Sequence, residues 1–266
     1  MNNKYWLSLG GGVQSTAMAL MIIDKAIDIS LDGIIFADTG SEPPHVYDAV
    51  NVVRQKAEAN GIQFAIVKNS KYSSLEEAIR TVQTTKSGNT NVAYLPVVFF
   101  KNKDTGKKFV MNRQCTKHFK IMPVNKFLKS QTKDNIFIYL GISTDEIERI
   151  KPSQTKRIIH KFPLIDARKS RNDCLLYLQK QGLNILKSRC YYCGYQSNSN
   201  WHEIKKNYPD LFKNAIELDE HIRNANSSIR GQGFLHKSMT PLKDVNLSEY
   251  DDIDLFGNEC GGNCAL

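Results

Sequence analysis

The segment Leu7-Ser-Leu-Gly-Gly-Gly-Val-Gln-Ser-Thr16 constrains this chain more than any other. An apolar strand-like run, Tyr5 to Leu9, enters three consecutive glycines. Ser15 and Thr16 follow, and a helical apolar pattern begins at Ala17, Leu20 and Met21. Glycines let backbone turn tightly and approach a ligand closely. A helix starting there offers N–H groups and a positive dipole end to an anion. Ser15 and Thr16 add hydroxyls. A glycine turn capped by Ser15 would read the same way, but the first strand-to-helix turn of an α/β pattern is where phosphate is held. The spacing excludes the common alternatives, since neither G-x-x-x-x-G-K-[ST] nor G-x-G-x-x-G is present.

The rest of the pattern predicts an α/β fold with a doubly wound, mainly parallel sheet and a helical, cysteine-containing C-terminal region. Strands are predicted near 4–9, 32–37, 62–67 and 135–140, with a further pair at 95–101 and 107–112. Helices are predicted near 15–27, 44–60, 73–84, 121–131, 144–150, 170–181 and 199–225, and 85–118 reads as an inserted hairpin or flap. The division expected is a nucleotide-binding domain at 1–160 and a helical region with a glycine-rich tail at 161–266. In such sheets ligands sit at the carboxyl ends of strands, which here means loops 10–16, 38–44 and 141–149. No signal peptide or apolar run of membrane-spanning length is read, so the expectation is a cytoplasmic protein without a membrane partner.

Charge is uneven. The chain carries a formal +9, and residues 101–206 hold 23 Lys and Arg against 8 Asp and Glu. A concentrated positive region suits nucleic acid or a polyanionic nucleotide, and a lysine-rich solvated surface would look alike. Tyr191, Tyr192, Tyr195 and Trp201 lie among the charges, as stacking platforms or as core.

Gly10-Gly-Gly-Val-Gln-Ser15 resembles the PP-loop of ATP pyrophosphatases, S-G-G-x-D-S, and is most similar to the phosphoadenosine-phosphosulfate (PAPS) reductase branch. Gly10 stands for the first Ser, Val13 for a frequent Lys, and Gln14 for the Asp. Phe36-Ala-Asp-Thr-Gly-Ser-Glu-Pro43 is similar to the D-T-G-x-x-x-P-E-T segment after the second strand. Leu140-Gly-Ile-Ser-Thr-Asp-Glu-Ile-Glu-Arg149 is similar to a later G-x-R-x-x-x-S-x-x-R region, with Ser143 where an Arg is frequent. The resemblance implies that Ser8, Gly10, Gly11, Gly12, Gln14, Ser15, Thr16, Ala37, Asp38, Thr39 and Gly141 hold ATP (or PAPS or its 3′-dephospho form, APS) with Mg²⁺. It further implies that Glu42 orients the substrate. Arg149 is the candidate for binding a phosphate or sulfonate through its planar fork, with Arg157 in reserve and a surface ion pair to Asp145 as the plain reading.

Six cysteines in a chain without a secretory signal point to metal or redox chemistry. Cys190 and Cys193 form a C-x-x-C pair. Cys115, in Arg113-Gln-Cys-Thr-Lys-His-Phe-Lys-Ile-Met-Pro123, is similar to the Cys-Cys-x-x-x-K-x-x-P region of the iron–sulfur reductases. With Cys174 as fourth ligand, the resemblance implies a [4Fe–4S] cluster, with tetrahedral zinc as the alternative. A core Cys174 and a metal-free redox pair are the other readings. The terminus, Asn258-Glu-Cys-Gly-Gly-Asn-Cys-Ala-Leu266, resembles the E-C-G-L-H tail of sulfonucleotide reductases without its Leu-His. Cys260 is thereby a candidate nucleophile or sulfur carrier, and Cys264 its resolving partner; either is also a substitute for Cys174. His118 beside Cys115 is a candidate for substrate binding.

Three functions follow from the resemblance. One is an adenylylating enzyme that releases pyrophosphate and transfers sulfur, with tRNA or DNA as acceptor. The second is a sulfonucleotide reductase releasing sulfite through Cys260. The third is a nucleotide-sensing or nucleic-acid-binding module without turnover. A sulfur donor or thiol reductant protein is the partner implied by the first two.

Overall fold

The computed structural model describes residues 2–111, 113–225 and 231–247. The tail cysteines Cys260 and Cys264 lie outside the described residues.

The chain opens with β1 (Lys4–Leu9), α1 (Val13–Ile23), β2 (Gly33–Ala37), α2 (Pro44–Ala59) and β3 (Gln63–Val67). Every residue of α1 is buried, which is why its sequence is apolar on all sides rather than striped. The chain then leaves the sheet through α3 (Leu75–Arg80), the hairpin β4 (Val82–Thr84) and β5 (Thr90–Val92), and a second hairpin, β6 (Phe99–Asn102) and β7 (Lys108–Val110). It returns through a π-helical turn, Thr116–Ile121, that runs directly into α4 (Met122–Gln131). Next come β8 (Ile136–Tyr139), a 3₁₀ turn (Thr144–Arg149), β9 (Ile158–Lys161), α5 (Pro163–Asp166) and α6 (Arg171–Lys180). The described chain ends with α7 (Asn198–Asn207), α8 (Pro209–Ala225), β10 (Gly231–Phe234) and a last 3₁₀ turn at Leu242–Asp244.

The central sheet is five-stranded in the order β3-β2-β1-β8-β9, and all its pairs are parallel. Leu7 of β1 sits between Ile34 of β2 and Tyr139 of β8. One sheet face packs on α1, α2 and α6 through Leu7, Leu9, Ile34, Phe36 and Leu178. The other packs on α4 through Trp6, Ile35, Ile138, Val124 and Leu128. This is the expected doubly wound arrangement. The strand order reverses between β1 and β8, so the two strand ends at that point, Leu9 and Tyr139, frame the crevice where such sheets take ligands.

A second apolar core joins two stretches distant in sequence. Leu75, Val98, Phe100 and Phe119 from the insertion pack with Tyr192, Trp201, Leu218, Ile222 and Leu235. β10 completes this unit by pairing antiparallel with β6. Buried Asp219 of α8 ties it together, accepting from the N–H groups of Leu235 (2.7 Å) and Leu242 (2.9 Å) and pairing with Arg223. The cores therefore do not divide at residue 160. Leu164, Cys174 and Leu178 belong to the core under the five-stranded sheet, while 72–119 belongs with 191–247.

Several elements differ from expectation. Residues 82–84 pair as a strand rather than continuing α3. The helix predicted over 199–225 is two helices parted at Pro209, which has no N–H to donate and disfavours helical backbone before it. Residues 144–149 form a 3₁₀ turn kinked at Glu146. β9 and β10, four residues each, carry too little pattern to be read.

Candidate functional site

The glycine loop is shaped by contacts only glycine permits. Gly11 has φ +71°, and a Cβ there would lie 2.7 Å from Val46 Cγ1. A Cβ on Gly12 would lie 2.8 Å from Ser188 Oγ, and one on Gly141 would lie 2.8 Å from both the N and Cα of Ser15. Gly10 has more room, its nearest neighbour at 3.6 Å. Ser15 Oγ accepts from the Gly10 N–H at 3.1 Å, so this hydroxyl holds the loop closed on itself. Gly12 caps α1 with no side-chain acceptor, leaving the first turn to an outside anion. Gln14 accepts from Arg171 Nη1 at 3.0 Å. Ser8 and Thr16 are buried, and Thr16 Oγ1 has no hydrogen-bond partner among the described residues.

The second loop is a hydrogen-bonded hinge. Asp38 accepts from the Gly40 N–H (2.8 Å) and Tyr47 O–H (2.9 Å) and pairs with Lys68 (3.0 Å). Burial alone would raise its carboxyl pKa. The Gly40, Lys68 and Tyr47 donors outweigh burial and hold it below the usual value. Ala37 ends β2 beside it. Thr39 Oγ1 donates to Glu42 Oε1 at 3.1 Å and lies 3.6 Å from Cys190 Sγ. Glu42 is buried, pairs with Lys120 at 3.4 Å, and keeps Oε2 without a partner among the described residues.

Cys115, Cys190 and Cys193 line one cavity of about 90 Å³, with Thr39, Lys120, Ser188 and Arg189. The cysteine loop is fastened to the second loop: Tyr191 N–H donates to Ser41 O (3.1 Å) and Tyr192 O–H to Ser41 Oγ (2.7 Å). Gly194 is obligatory there, since a Cβ would lie 2.7 Å from Val97 O. Burial pushes all three thiols above the usual thiol range. Glu42 adds to the rise at Cys190, while Lys120, Arg113 and Arg189 act in the opposite direction around the cavity. Burial also works against the Lys120 ammonium, but Glu42 and the thiols overcome it and raise its pKa.

Among the described residues no group of three or more His, Cys, Asp or Glu side chains is already gathered as a metal-binding set. The donor chemistry nevertheless fits a thiolate-bound metal. Three thiols face one cavity with cations placed to offset thiolate charge, and metal binding removes the protons that burial retains.

Cys174 is not among them. It is buried in the core under the five-stranded sheet with Leu178, on the face of α6 that packs against α1, and burial lifts its pKa to about 12. The structure thus brings together three of the four expected cysteines and places Cys174 in the core. Arg149 pairs with Glu146 at 2.6 Å, not Asp145, and lines a separate cleft beyond β8. Arg157 lies before β9, at the amino end of the sheet, donating to Thr132 O at 3.1 Å, which removes it as a reserve. Tyr191, Tyr192 and Trp201 are core residues, not stacking platforms.

Sequence reasoning missed the segment Lys187-Ser188-Arg189, which crosses the glycine loop at Gly12 and lines the thiol cavity. It also missed Lys120. The Lys that ends Cys115-x-x-x-x-Lys120 is part of a motif, but nothing local says that it meets Glu42.

The sequence matches no protein-family profile and no curated protein. Among solved structures, the chain is similar to the U34-tRNA thiolase NcsA from Methanococcus maripaludis with its [4Fe-4S] cluster, at 15% identity and a TM-score of 0.42, over 84% of this chain and 72% of that one. No helix among the described residues is long and apolar enough to cross a membrane.

Proposed function

We propose that the chain binds ATP at the glycine loop, adenylylates an acceptor with release of pyrophosphate, and supports transfer of sulfur to a nucleic-acid acceptor from the adjoining thiol cavity. The observation that carries this reading is the shared wall. Ser188 closes over Gly12 and lines the cavity of Cys115, Cys190 and Cys193, so nucleotide and thiols meet at one place.

The phosphates would lie against the loop N–H groups at the start of α1, with Mg²⁺ shielding their charge. Val13 and Gln14 leave this PP-loop without its usual Lys and Asp. Lys187 and Arg189 of the crossing segment, and Arg171 at Gln14, are the cations near enough to compensate. Oriented N–H groups and cations stabilise charge that develops on the phosphoryl oxygens. An acceptor carbonyl oxygen attacks the α-phosphorus, and the bond to the bridging oxygen breaks as pyrophosphate leaves. Sulfur from a sulfide donor then attacks the activated carbon; the carbon–oxygen bond breaks, AMP leaves, and no net oxidation occurs. Glu42, with one oxygen partnerless among the described residues and the other held by Lys120 and Thr39, would take the proton released by the incoming sulfur. Cys115, Cys190 and Cys193 would hold a [4Fe–4S] cluster, which would bind and activate the sulfur.

The test is anaerobic incubation with ATP, Mg²⁺, sulfide and RNA, with pyrophosphate, AMP and RNA-bound sulfur quantified together. Equal yields of the three, lost in Gly12→Val and Cys190→Ala, are expected. Sulfite release from PAPS without pyrophosphate from ATP would overturn the reading in favour of a reductase.

A further inference from the structure

The π-helical turn at 116–121 borders three spaces at once. Cys115, Thr116 and Lys120 face the thiol cavity, Lys117 faces a second cleft, and His118 faces a third. An α-helical turn presents one face every 3.6 residues. The wider π turn spreads consecutive side chains over more directions, and such turns recur at functional sites.

The second cleft, about 460 Å³, lies between the chain leaving β8 and the segment 151–155 that leads into β9. Lys117, Lys151, His160 and the Glu146-paired Arg149 line it, with Asn125 and Thr155 hydrogen-bonded across it at 3.0 Å. Leu140 and Ile142 form its floor and flank Gly141, which packs on the glycine loop. The third cleft, about 510 Å³, lies beyond the carboxyl end of β3. Its aromatic side is Tyr94, Phe127 and His118, with the Tyr94 and His118 rings 4.7 Å apart. Lys71 and Lys126 stand at its edge. No Asp or Glu among the described residues lines either cleft. Both volumes fall in the range of sites that hold a nucleotide-sized group.

We infer that an unpaired RNA segment crosses the π turn, with backbone phosphates in the Lys117–Lys151 cleft and an unstacked base in the Tyr94–His118 cleft. The inference rests on the proposed nucleic-acid acceptor and specifies its form and path. Lysine-lined, acid-free walls match a phosphodiester chain. Aromatic and imidazole rings at a cleft mouth match a splayed base, which duplex geometry does not offer. Asn125, Ser153, Gln154 and Thr155 supply amide and hydroxyl groups of the kind that engage a 2′-OH. A strand on this path passes over Cys115 and Lys120, where the sulfur chemistry is placed.

The test is fluorescence anisotropy with a short fluorescein-labelled single-stranded RNA of mixed sequence, titrated at several salt concentrations. Its arms are duplex RNA and single-stranded DNA of the same sequence. The K117E/K126E/K151E variant replaces exposed lysines outside the nucleotide loop, so ATP binding, measured separately, should match wild type. The expected result is affinity weaker by roughly tenfold or more, and a log–log salt slope shallower by about 2, given about 0.7 per phosphate contact in single strands. His118→Ala should weaken binding by about tenfold with the slope unchanged. Absence of RNA binding, unaltered binding by the triple variant, or equal binding of duplex RNA or of single-stranded DNA would overturn the inference. Failure of pyrophosphate release with intact, lysine-dependent RNA binding would instead strike the proposed reaction.

Discussion

A methyl group on Gly141 would sit 2.8 Å from the backbone of Ser15, and nothing flexible is there to yield. Gly141→Ala must therefore push the glycine loop away from β8, at a cost of about 1–3 kcal/mol for an overpacked contact. We expect ATP affinity in titration calorimetry to fall at least tenfold while far-UV circular dichroism is unchanged; unaltered affinity would remove the loop from the site. Asp38 makes a pH prediction. Its folded-state pKa is below the unfolded one, so its contribution to stability is present above the ordinary carboxylate pKa and is lost as pH falls through the folded value. Asp38→Asn should therefore lower denaturant midpoints at neutral pH and flatten their decline on the acid side of about pH 4. At this scale the glycine loop was legible because a tight glycine turn before a helix is written in consecutive residues. Cys174 was legible in part: Leu178, four residues on, marks a core-facing stripe, and the family resemblance argued against that plain reading. Ser188 carried no signal, since its partner Gly12 is far away in sequence and the segment has no period.

At the scale of elements, α6 is secured by a complete capping box, in which Ser170 accepts from the Asp173 N–H and Asp173 from the Ser170 N–H. Removing the hydroxyl in Ser170→Ala should cost about 1 kcal/mol, read from the urea midpoint. Cys174→Ser on the same helix places a hydroxyl in an apolar pocket and should cost about 1–3 kcal/mol. Neither change should alter the metal content of the protein; loss of iron or zinc in Cys174→Ser would return Cys174 to the ligand set. The strands β1, β2, β3 and β8 were legible because each is an apolar run near a turn signal. β9 was not, because an edge strand with one buried residue looks like a loop. The inserted hairpin was legible as a hairpin, but its partner β10 follows more than a hundred residues later.

For the whole molecule, the five-stranded sheet and the second core meet along the loop 38–42 and the cysteine turn 190–193. The bonds from Tyr191 and Tyr192 to Ser41 hold the two together. On the proposed function, with nucleotide on one unit and thiols on the other, that seam must stay closed for the two to act together. No local pattern could reveal the seam, since each side is short and irregular; what the sequence displayed was two motifs, and the fold supplies their contact. On the proposed function, Cys115, Cys190 and Cys193 form one metal-holding set beside the glycine loop. The measurement that tests it most directly is iron and acid-labile sulfide content, with the visible spectrum, of anaerobically purified wild type, Cys190→Ala and Cys174→Ser. Iron and sulfide with a broad absorption band are expected in wild type and Cys174→Ser, and their loss in Cys190→Ala. Iron-free, colourless wild type, or a cluster that survives Cys190→Ala, would contradict it.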